Sequence, residues 1–174
     1  MKFFVSVLWS EIGALELGRS RMREEWGDID HEGPDHLFDE TDYYEKEMGP
    51  RLQKRLLAFA RLMEPASLVE RKLTAIEIEE HFRGGAGRRV NIDPGYMDVH
   101  KVVLASAKYG PQKVHLGQGV YADLVCRYSR GSFRPFDWTF RDYREGRYEK
   151  DLLEIRALYK AQLKMYPGKP TGAA

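Results

Sequence analysis

The 174-residue sequence has little of several features that would narrow its function at once. It contains a single cysteine, Cys126, so no disulfide can form within the chain, and we predict a reducing, cytoplasmic environment. The apolar start MKFFVSVLW ends at Ser10-Glu11 and is too short for a membrane span, which indicates a buried first strand. A net charge of +1 provides no field for nucleic acid or for a membrane surface, and we predict neither as a partner.

The sequence also lacks the motifs of common catalytic and nucleotide-binding sites. It has no GxxxxGK[ST] phosphate loop, no GxSxG nucleophile elbow and no zinc-type cysteine pair. The run RGGAGRR at 83–89 follows a predicted helix and precedes a predicted strand, which is the reverse of the order in a phosphate-binding loop, and it indicates a helix end. The five histidines are scattered along the chain, so we predict no transition-metal site. No motif assigns a reaction.

Hydrophobic periodicity predicts an α+β fold. The order of elements is strand, helix, strands, helix, several strands and a final helix. We predict a mixed, mostly antiparallel sheet, whose first two thirds are compatible with a ferredoxin-like βαββαβ core and which continues into C-terminal antiparallel strands. A composition of 43% hydrophobic and 32% charged residues is typical of a globular domain. We expect one domain over residues 1–166 and a disordered tail at 167–174.

Two segments carry local signals of secondary structure. The stretch 52–63 fits a helix through Leu52, Leu56 and Phe59 and also fits a strand through alternate residues; we favour a strand, because Pro65 then opens a helix of its own. Asp93-Pro94-Gly95 predicts a tight turn with a positive φ at Gly95. The predicted core residues are Phe4, Val7, Leu15, Trp26, Phe59, Ile76, Val103, Leu124, Ile155 and Tyr159.

Charge is unevenly distributed around an adjacent pair of tyrosines. Residues 28–47 hold nine carboxylates and one lysine, with Tyr43-Tyr44 in the most acidic part, and a basic stretch begins at Arg51. Because aromatic rings need a partner surface, we predict that the two tyrosines anchor the acidic loop across the sheet. Asp39, Thr41 and Glu47 would then lie near Arg55, Lys72 and Lys101. This arrangement fits a buried salt-bridge network and the wall of a ligand pocket equally well.

Four motifs in chain order resemble the bacterial domain-of-unknown-function family DUF4416. They are DxTxYYxxEMG at 39–49, NxDPGY at 91–96, KxVLASxK at 101–108, and the stretch from His115 to Gly119-x-Tyr121. The similarity covers nearly the whole chain and departs at 112–114 and at Ala107. It implies a small, single-domain, cytoplasmic bacterial protein with no assigned reaction. Some relatives carry a GTP-binding label, which the residues do not support, since a Walker lysine and an NKxD motif are both missing.

We predict a pocket for an anionic small molecule that is phosphorylated or nucleotide-like. Basic side chains would contact the anion, tyrosines would supply stacking or hydroxyl contacts, and carboxylates would act as a base or hold a hard cation such as Mg²⁺. The candidate residues are Asp39, Thr41, Tyr43, Tyr44, Glu47, Arg55, Lys72, Asn91, Asp93, Tyr96, Lys101, Lys108, His115 and Tyr121.

A non-enzymatic adaptor is the alternative function. It would dock another protein through the acidic Tyr-Tyr loop and a group of C-terminal aromatics. Those aromatics are Phe133, Phe136, Trp138, Phe140 and Tyr143. A concave pocket lined by the candidate residues favours ligand binding, whereas exposed aromatics around a convex polar centre favour the adaptor.

Overall fold

Nine strands form one sheet in the computed structural model, which describes residues 1–39, 44–85 and 87–165. The predicted tail at 167–174 lies outside the described residues. The strands are β1 (Lys2–Trp9), β2 (Ile29–Glu32), β3 (His36–Leu37), β4 (Gln53–Leu62), β5 (Val90–Met97), β6 (Lys101–Ser106), β7 (Val114–Gly117), β8 (Val120–Ser129) and β9 (Ser132–Pro135). The helices are α1 (Ile12–Trp26), α2 (Glu45–Met48), α3 (Leu68–His81), α4 (Arg141–Arg144) and α5 (Glu149–Met165), and a 3₁₀ turn at Pro65–Ser67 precedes α3.

The sheet is open and its neighbouring strands are all antiparallel. Its main path is β2-β4-β1-β5-β6-β8-β7, with β3 paired to β4 and β9 paired to β8. The α+β prediction is confirmed, and β4 confirms the preference for a strand over 52–63. The prediction of a mixed sheet is wrong, because every strand pair in the described residues is antiparallel. In the part of the chain that the structure describes, no helix combines the length and the apolar character needed to cross a membrane.

Helices cover both faces of the sheet, which explains the continuous apolar run at the start of the chain. Alternate residues of β1 pack either against α1 and α3, as Phe3 and Val7 do, or against α4 and α5, as Phe4 does. All eight residues of β1 are therefore buried. Of the predicted core residues, Ile76 and Leu124 are half-buried and the others are buried.

The turn predicted at Asp93-Pro94-Gly95 is wrong, because all three residues lie inside β5. Asp93, Pro94 and Gly95 pair with Ser6, Val5 and Phe4 of β1. The chain reverses later, where the Asp98 carboxylate accepts hydrogen bonds from the backbone N–H groups of His100 and Lys101. Pro94 lies one residue before the pairing of β5 with β6 begins, a place where a strand tolerates a missing N–H donor.

Gly95 is constrained by its neighbours rather than by its own dihedral angle. A Cβ atom at this position would lie 2.5 Å from the carbonyl oxygen of Val103 and 2.7 Å from Cδ2 of Leu104. Substitution Gly95→Ala is therefore expected to lower the free energy of unfolding by about 1–3 kcal/mol, the typical effect of overpacking a filled core. Chemical denaturation measures this change. Gly85→Ala is the matched control, because no atom lies within 4 Å of a Cβ atom there, and equal stability of the two variants would contradict the crowding.

Candidate functional site

The sheet opens between β5 and β6. These strands pair only where Gly95–Met97 meet Val102–Leu104, so the first half of β5 has no strand partner on the β6 side. Backbone groups exposed in this way need other partners when they are buried. The gap creates the space in which the polar side chains of the candidate site lie.

Two buried charged side chains of α3 form hydrogen bonds with the backbone groups at the open edge of β5. The Lys72 ammonium donates to the carbonyl oxygen of Ile92 at 2.8 Å and to Oδ1 of Asp93 at 2.9 Å. The Glu79 carboxylate accepts from the backbone N–H of Ile92 at 2.7 Å. Lys72 and Glu79 are 3% and 2% exposed and lie seven residues apart, on the side of α3 that faces the sheet. They replace the hydrogen bonds that β6 would have supplied.

Arg88 extends this network toward the acidic loop. Its guanidinium contacts both oxygens of Glu47 at 2.9 Å, Oε2 of Glu79 at 2.9 Å and Oδ1 of Asn91 at 2.8 Å. The Asn91 amide in turn donates to Oδ2 of Asp93 at 2.9 Å. The resulting chain of charge-assisted contacts joins α2, α3 and β5 and holds the end of the acidic loop against the sheet.

The network shifts the pKa values of its carboxyl groups in opposite directions. Burial raises the pKa of Glu79 above its ordinary value, against the opposing charge of Lys72. Burial acts in the same direction on Asp93, but the charge and hydrogen bond of Lys72 and the hydrogen bond of Asn91 hold the pKa of Asp93 below its ordinary value. Asp93 is thus a stable anion at neutral pH.

A cavity of about 600 Å³ lies next to this network, on the face of the sheet that carries α4. A smaller cavity of about 130 Å³ between β5 and β6 shares Tyr44, Asn91 and Asp93 with it, and we refer to the two together as the cleft. Five rings line the larger cavity: Phe38, Tyr44, Trp138, Phe140 and Tyr143. Its charged lining consists of four cations and one carboxylate: Lys54, Lys108, Arg141, Arg144 and Asp93.

Lys54 is fixed at the base of the cleft by a buried ion pair. Its ammonium lies 2.5 Å from Oδ2 of Asp142, whose side chain is fully buried, and 4.4 Å from the centre of the Phe38 ring. The Tyr148 hydroxyl also donates to Asp142, at 2.8 Å. These contacts hold α4 against β4 and keep one positive charge at a fixed position in the lining.

The outer wall of the cleft is the segment that contains Trp138 and Thr139. It is anchored on the part of the β8 edge that lies between β7 and β9. The Trp138 indole donates to the carbonyl oxygen of Leu124 at 3.0 Å, and the Thr139 hydroxyl donates to that of Val125 at 2.7 Å. β7 and β9 pair with β8 on either side of these two residues and leave their carbonyl groups available. Trp138 and Phe140 are 47% and 56% exposed at the rim.

Tyr143 lines the cleft, and its buried hydroxyl has no hydrogen-bond partner of normal geometry among the residues that the structure describes. It lies close to Ser6, but no hydrogen bond of normal geometry forms there. Burial and the charge of Asp142 raise the pKa of Tyr143 well above its ordinary value, so the hydroxyl keeps its proton. A buried donor without a partner costs about 1–3 kcal/mol, and such a group indicates a missing partner.

The structure brings part of the predicted site together. Tyr44, Lys72, Asn91, Asp93 and Lys108 all line the cleft. Glu47 contacts it through Arg88. The Tyr44 ring packs near Phe38, and the Lys108 ammonium lies 5.1 Å from the centre of the Tyr44 ring. Tyr44 therefore lies between Phe38 and Lys108, and anchoring of the acidic loop by the tyrosine pair stays a prediction, since Tyr43 and Thr41 lie outside the described residues.

Three predicted contacts of the acidic loop are wrong, because their charged groups have closer partners. Asp39 binds Arg147 at 2.6 Å. Arg55 lies on the opposite face of the sheet from the cleft, where it contacts Glu32 at the end of β2 and Asp35 in the loop that follows. Lys101 contacts Asp98 at the turn between β5 and β6.

The remaining predicted residues do not line the cleft. Tyr96 is half-buried and packs against the core under α1 and α3. His115 and Tyr121 contact each other on β7 and β8, with ring centres 5.0 Å apart. The loop carboxylates Asp39 and Glu47 each contact an arginine, and magnesium binding by the acidic loop stays a prediction.

Several residues of the cleft were missed at the level of sequence. They are Lys54, Glu79, Arg88, Arg141, Arg144 and Tyr143 in its role as a lining residue. One signal was available for Glu79, since two charged residues on the inward side of an amphipathic helix indicate buried polar partners. Nothing in the local sequence distinguishes Lys54 or Arg144 from cations that lie on the surface.

Comparison with known proteins gives a family and no function. No curated protein and no solved structure matches the chain. The family model described as a domain of unknown function, DUF4416, matches residues 1–159, which include every strand and helix described above up to the third turn of α5. The resemblance in the four motifs is confirmed, and the chain belongs to the DUF4416 family.

Proposed function

We propose that the cleft binds an anionic small molecule of the phosphorylated or nucleotide-like class. The observation that carries this proposal is a cavity of about 600 Å³ in which five aromatic rings accompany four cations and one carboxylate. Ligand sites are typically concave and mostly apolar, with a few fixed polar groups that orient the ligand. The rings offer stacking surfaces for a planar group, and the cations offer donors to an anion, although Lys54 and Arg141 also contact Asp142 and Glu145.

The positions of the cations suit a ligand with separate planar and anionic parts. Lys54 is held at the base by Asp142, while Arg144 is exposed at the opening. A guanidinium at the opening presents two parallel N–H groups that match two oxygens of one phosphate, a planar geometry that an ammonium lacks. The anionic part of the ligand would then face the opening, and the planar part would lie among the rings.

The Tyr143 hydroxyl adds a specific contact to this proposal. The Tyr143 side chain lines the cleft, and a displacement of the wall would bring its buried hydroxyl into reach of an acceptor oxygen of the ligand. Asp93 is an anion at the junction of the two cavities and would accept from a sugar hydroxyl or an amino group of the ligand. The two groups would together favour a ligand that carries both donors and acceptors.

Titration calorimetry of the full chain tests the proposal, with guanosine and adenosine triphosphates, guanosine and inorganic pyrophosphate as probes. Substitution Arg144→Ala is expected to weaken binding of a triphosphate by about 10- to 100-fold, because it removes a charge-assisted contact. Arg134→Ala is the matched control, since Arg134 is an exposed arginine on the other face of the sheet. Equal affinities of the two variants, or no binding of any probe and no small molecule retained in native mass spectrometry, would contradict the proposal.

The adaptor is the second candidate, and the exposure of Trp138 and Phe140 favours it. Of the other aromatics assigned to that role, Phe133 and Tyr143 are buried in the core. A double substitution of Trp138 and Phe140 by serine separates the two functions. It would abolish capture of a partner protein from lysate if the rim is a docking surface, and it would only weaken binding of a small molecule to the cleft.

We also infer that the first part of the sheet forms a ferredoxin-like core. The order β2-β4-β1-β5 and the position of α1 and α3 on one face support a ferredoxin-like βαββαβ core formed by β1, α1, β2, β4, α3 and β5. A single domain over residues 1–166 and a cytoplasmic location stay predictions, the latter on the grounds of the single cysteine.

A further inference from the structure

Two histidines and two carboxylates that are distant in sequence meet under α5. His31 of β2 and His36 of β3 pair with Ala58 and Lys54 of β4, on the face that α5 covers. Asp151 and Glu154 lie three residues apart on α5 and so share one side of that helix. One ligand atom from each of His31, Asp151 and Glu154 lies within 4.8 Å of the others.

Asp151 is at the centre of this cluster. It is 2% exposed, and its two oxygens lie 3.1 Å from Nε2 of His31 and 3.2 Å from Nε2 of His36. The backbone of Gly33 makes room for it, since a Cβ atom at that position would lie 2.5 Å from Oδ1 of Asp151. A side chain other than hydrogen at residue 33 would displace the carboxylate.

The cluster has more negative charge than its fixed cations can balance. Within the described ranges, the one lysine or arginine that contacts the cluster is Lys150, whose ammonium lies 4.0 Å from the exposed carboxylate of Glu154. A buried carboxylate needs a cation or several hydrogen bonds to offset its loss of hydration. Among the described residues, the side chains that contact the Asp151 carboxylate are the imidazoles of His31 and His36. A neutral imidazole offers a hydrogen bond but no positive charge, which a metal ion shared with the carboxylate would supply.

We propose that His31, Asp151 and Glu154 bind a divalent metal ion of the zinc class. An imidazole nitrogen combined with carboxylate oxygens is a donor set typical of zinc, and ligand atoms around zinc lie about 3.3 Å apart, close to the separation of His31 and Asp151. Glu154 is half-exposed and its Oε2 lies 3.6 Å from Nδ1 of His31, so its side chain completes the set by rotating toward the side of the ring that faces Asp151. His36 contacts the second oxygen of Asp151 and orients it, as outer partners of metal ligands do.

This site is separate from the cleft of the proposed function. Tyr148 lies between them, with its ring 5.0 Å from that of His36 and its hydroxyl on Asp142. Failure of nucleotide binding in the cleft would leave the metal proposal intact, and the reverse also holds.

Metal binding by the full chain tests the proposal. Any purification tag is first removed, and bound metal is stripped by a chelator. Zn²⁺ is titrated in competition with a chromophoric chelator, and Mg²⁺ serves as the hard-cation comparison. We expect one Zn²⁺ per chain, weaker binding of Mg²⁺, and a loss of Zn²⁺ affinity of about tenfold or more in both His31→Ala and Glu154→Gln.

The controls separate binding from folding. Glu154→Gln changes a half-exposed side chain and keeps its shape, and Glu77→Gln is the matched control on α3, where Glu77 is exposed. His36→Ala should reduce Zn²⁺ affinity less than His31→Ala does. If the wild type binds no stoichiometric Zn²⁺, or if Glu154→Gln and Glu77→Gln bind it equally, the proposal is wrong.

Discussion

Substitution Lys72→Met is expected to lower the free energy of unfolding by about 3–5 kcal/mol, the largest effect that we predict, because it removes one partner from a buried ionic network. The Lys72 side chain is 4% exposed, and its ammonium contacts Asp93 and the carbonyl oxygen of Ile92, with Glu79 at 3.8 Å. Methionine fills nearly the same volume, so the change isolates the charge from the packing. Denaturant unfolding at constant m-value measures it.

The effect of Lys72→Met should depend on pH in a defined direction. Lys72 holds the pKa of Asp93 below its ordinary value, so Asp93 contributes stability at neutral pH that is lost as the pH falls through its native-state pKa. Without Lys72 that contribution disappears, and the uncompensated carboxyl groups of Asp93 and Glu79 protonate at higher pH. The difference between wild type and variant should therefore be larger at about pH 7 than at about pH 4.5.

A lysine on the surface provides the control for Lys72. Lys160 is exposed on α5, and Lys160→Met is expected to change stability by less than about 0.5 kcal/mol. A loss below about 1 kcal/mol for Lys72→Met, or a loss that grows as the pH falls, would show that the network is more hydrated than its burial indicates.

The fold could be predicted where a segment's pattern follows from its own burial. A strand covered on both faces has no polar side, so β1 was recognised from its unbroken apolar run. The same property made β4 ambiguous, because four successive buried residues, from Leu56 to Phe59, show neither helical nor strand periodicity. β2 lies in the stretch that we interpreted as an acidic loop, because its sequence, IDHE, is polar and the strand pairs with β4 at the edge of the sheet.

The error at Asp93-Pro94-Gly95 shows how tertiary pairing overrides a local signal. Proline and glycine favour a turn in isolation, but here the segment pairs with β1 over its whole length. Proline needs no donor where β6 has not yet begun to pair, and glycine allows the backbone of Val103 to approach. Both residues therefore serve strand packing, which only the neighbouring strands make visible.

The candidate site was predictable in its residue types and less so in its pairings. Opposite charges attract whatever their order in the chain, so the sequence could not decide which cation Asp39 or Glu47 would meet. Glu47 binds Arg88, 41 residues away, and Asp39 binds Arg147, 108 residues away. The cleft depends on the gap between β5 and β6, which is a property of sheet register and leaves no mark in either strand alone.

Substitution Ile155→Ala is expected to lower the free energy of unfolding by about 2–5 kcal/mol. Ile155 is fully buried in the core between α5 and the sheet, where it packs with the group that includes Phe4 and Tyr148. Truncation removes three carbon atoms and leaves a cavity, because the strands beneath it are fixed by pairing on both sides and cannot collapse into the space. Thermal and denaturant unfolding both measure the loss.

Two further variants show whether this loss arises from packing on the sheet. Ile155→Val removes one methylene and should cost about 0.5–1.5 kcal/mol, and Leu153→Ala, at a half-buried position on the same helix, should cost less than Ile155→Ala. If the loss of stability increases from Ile155→Val to Ile155→Ala, α5 closes the core between itself and the sheet. It then holds Asp151 and Glu154 against β2 and β3. A denaturation midpoint that stays at the wild-type value in Ile155→Ala would mean that α5 is peripheral, and the cluster beneath it would then have no rigid support.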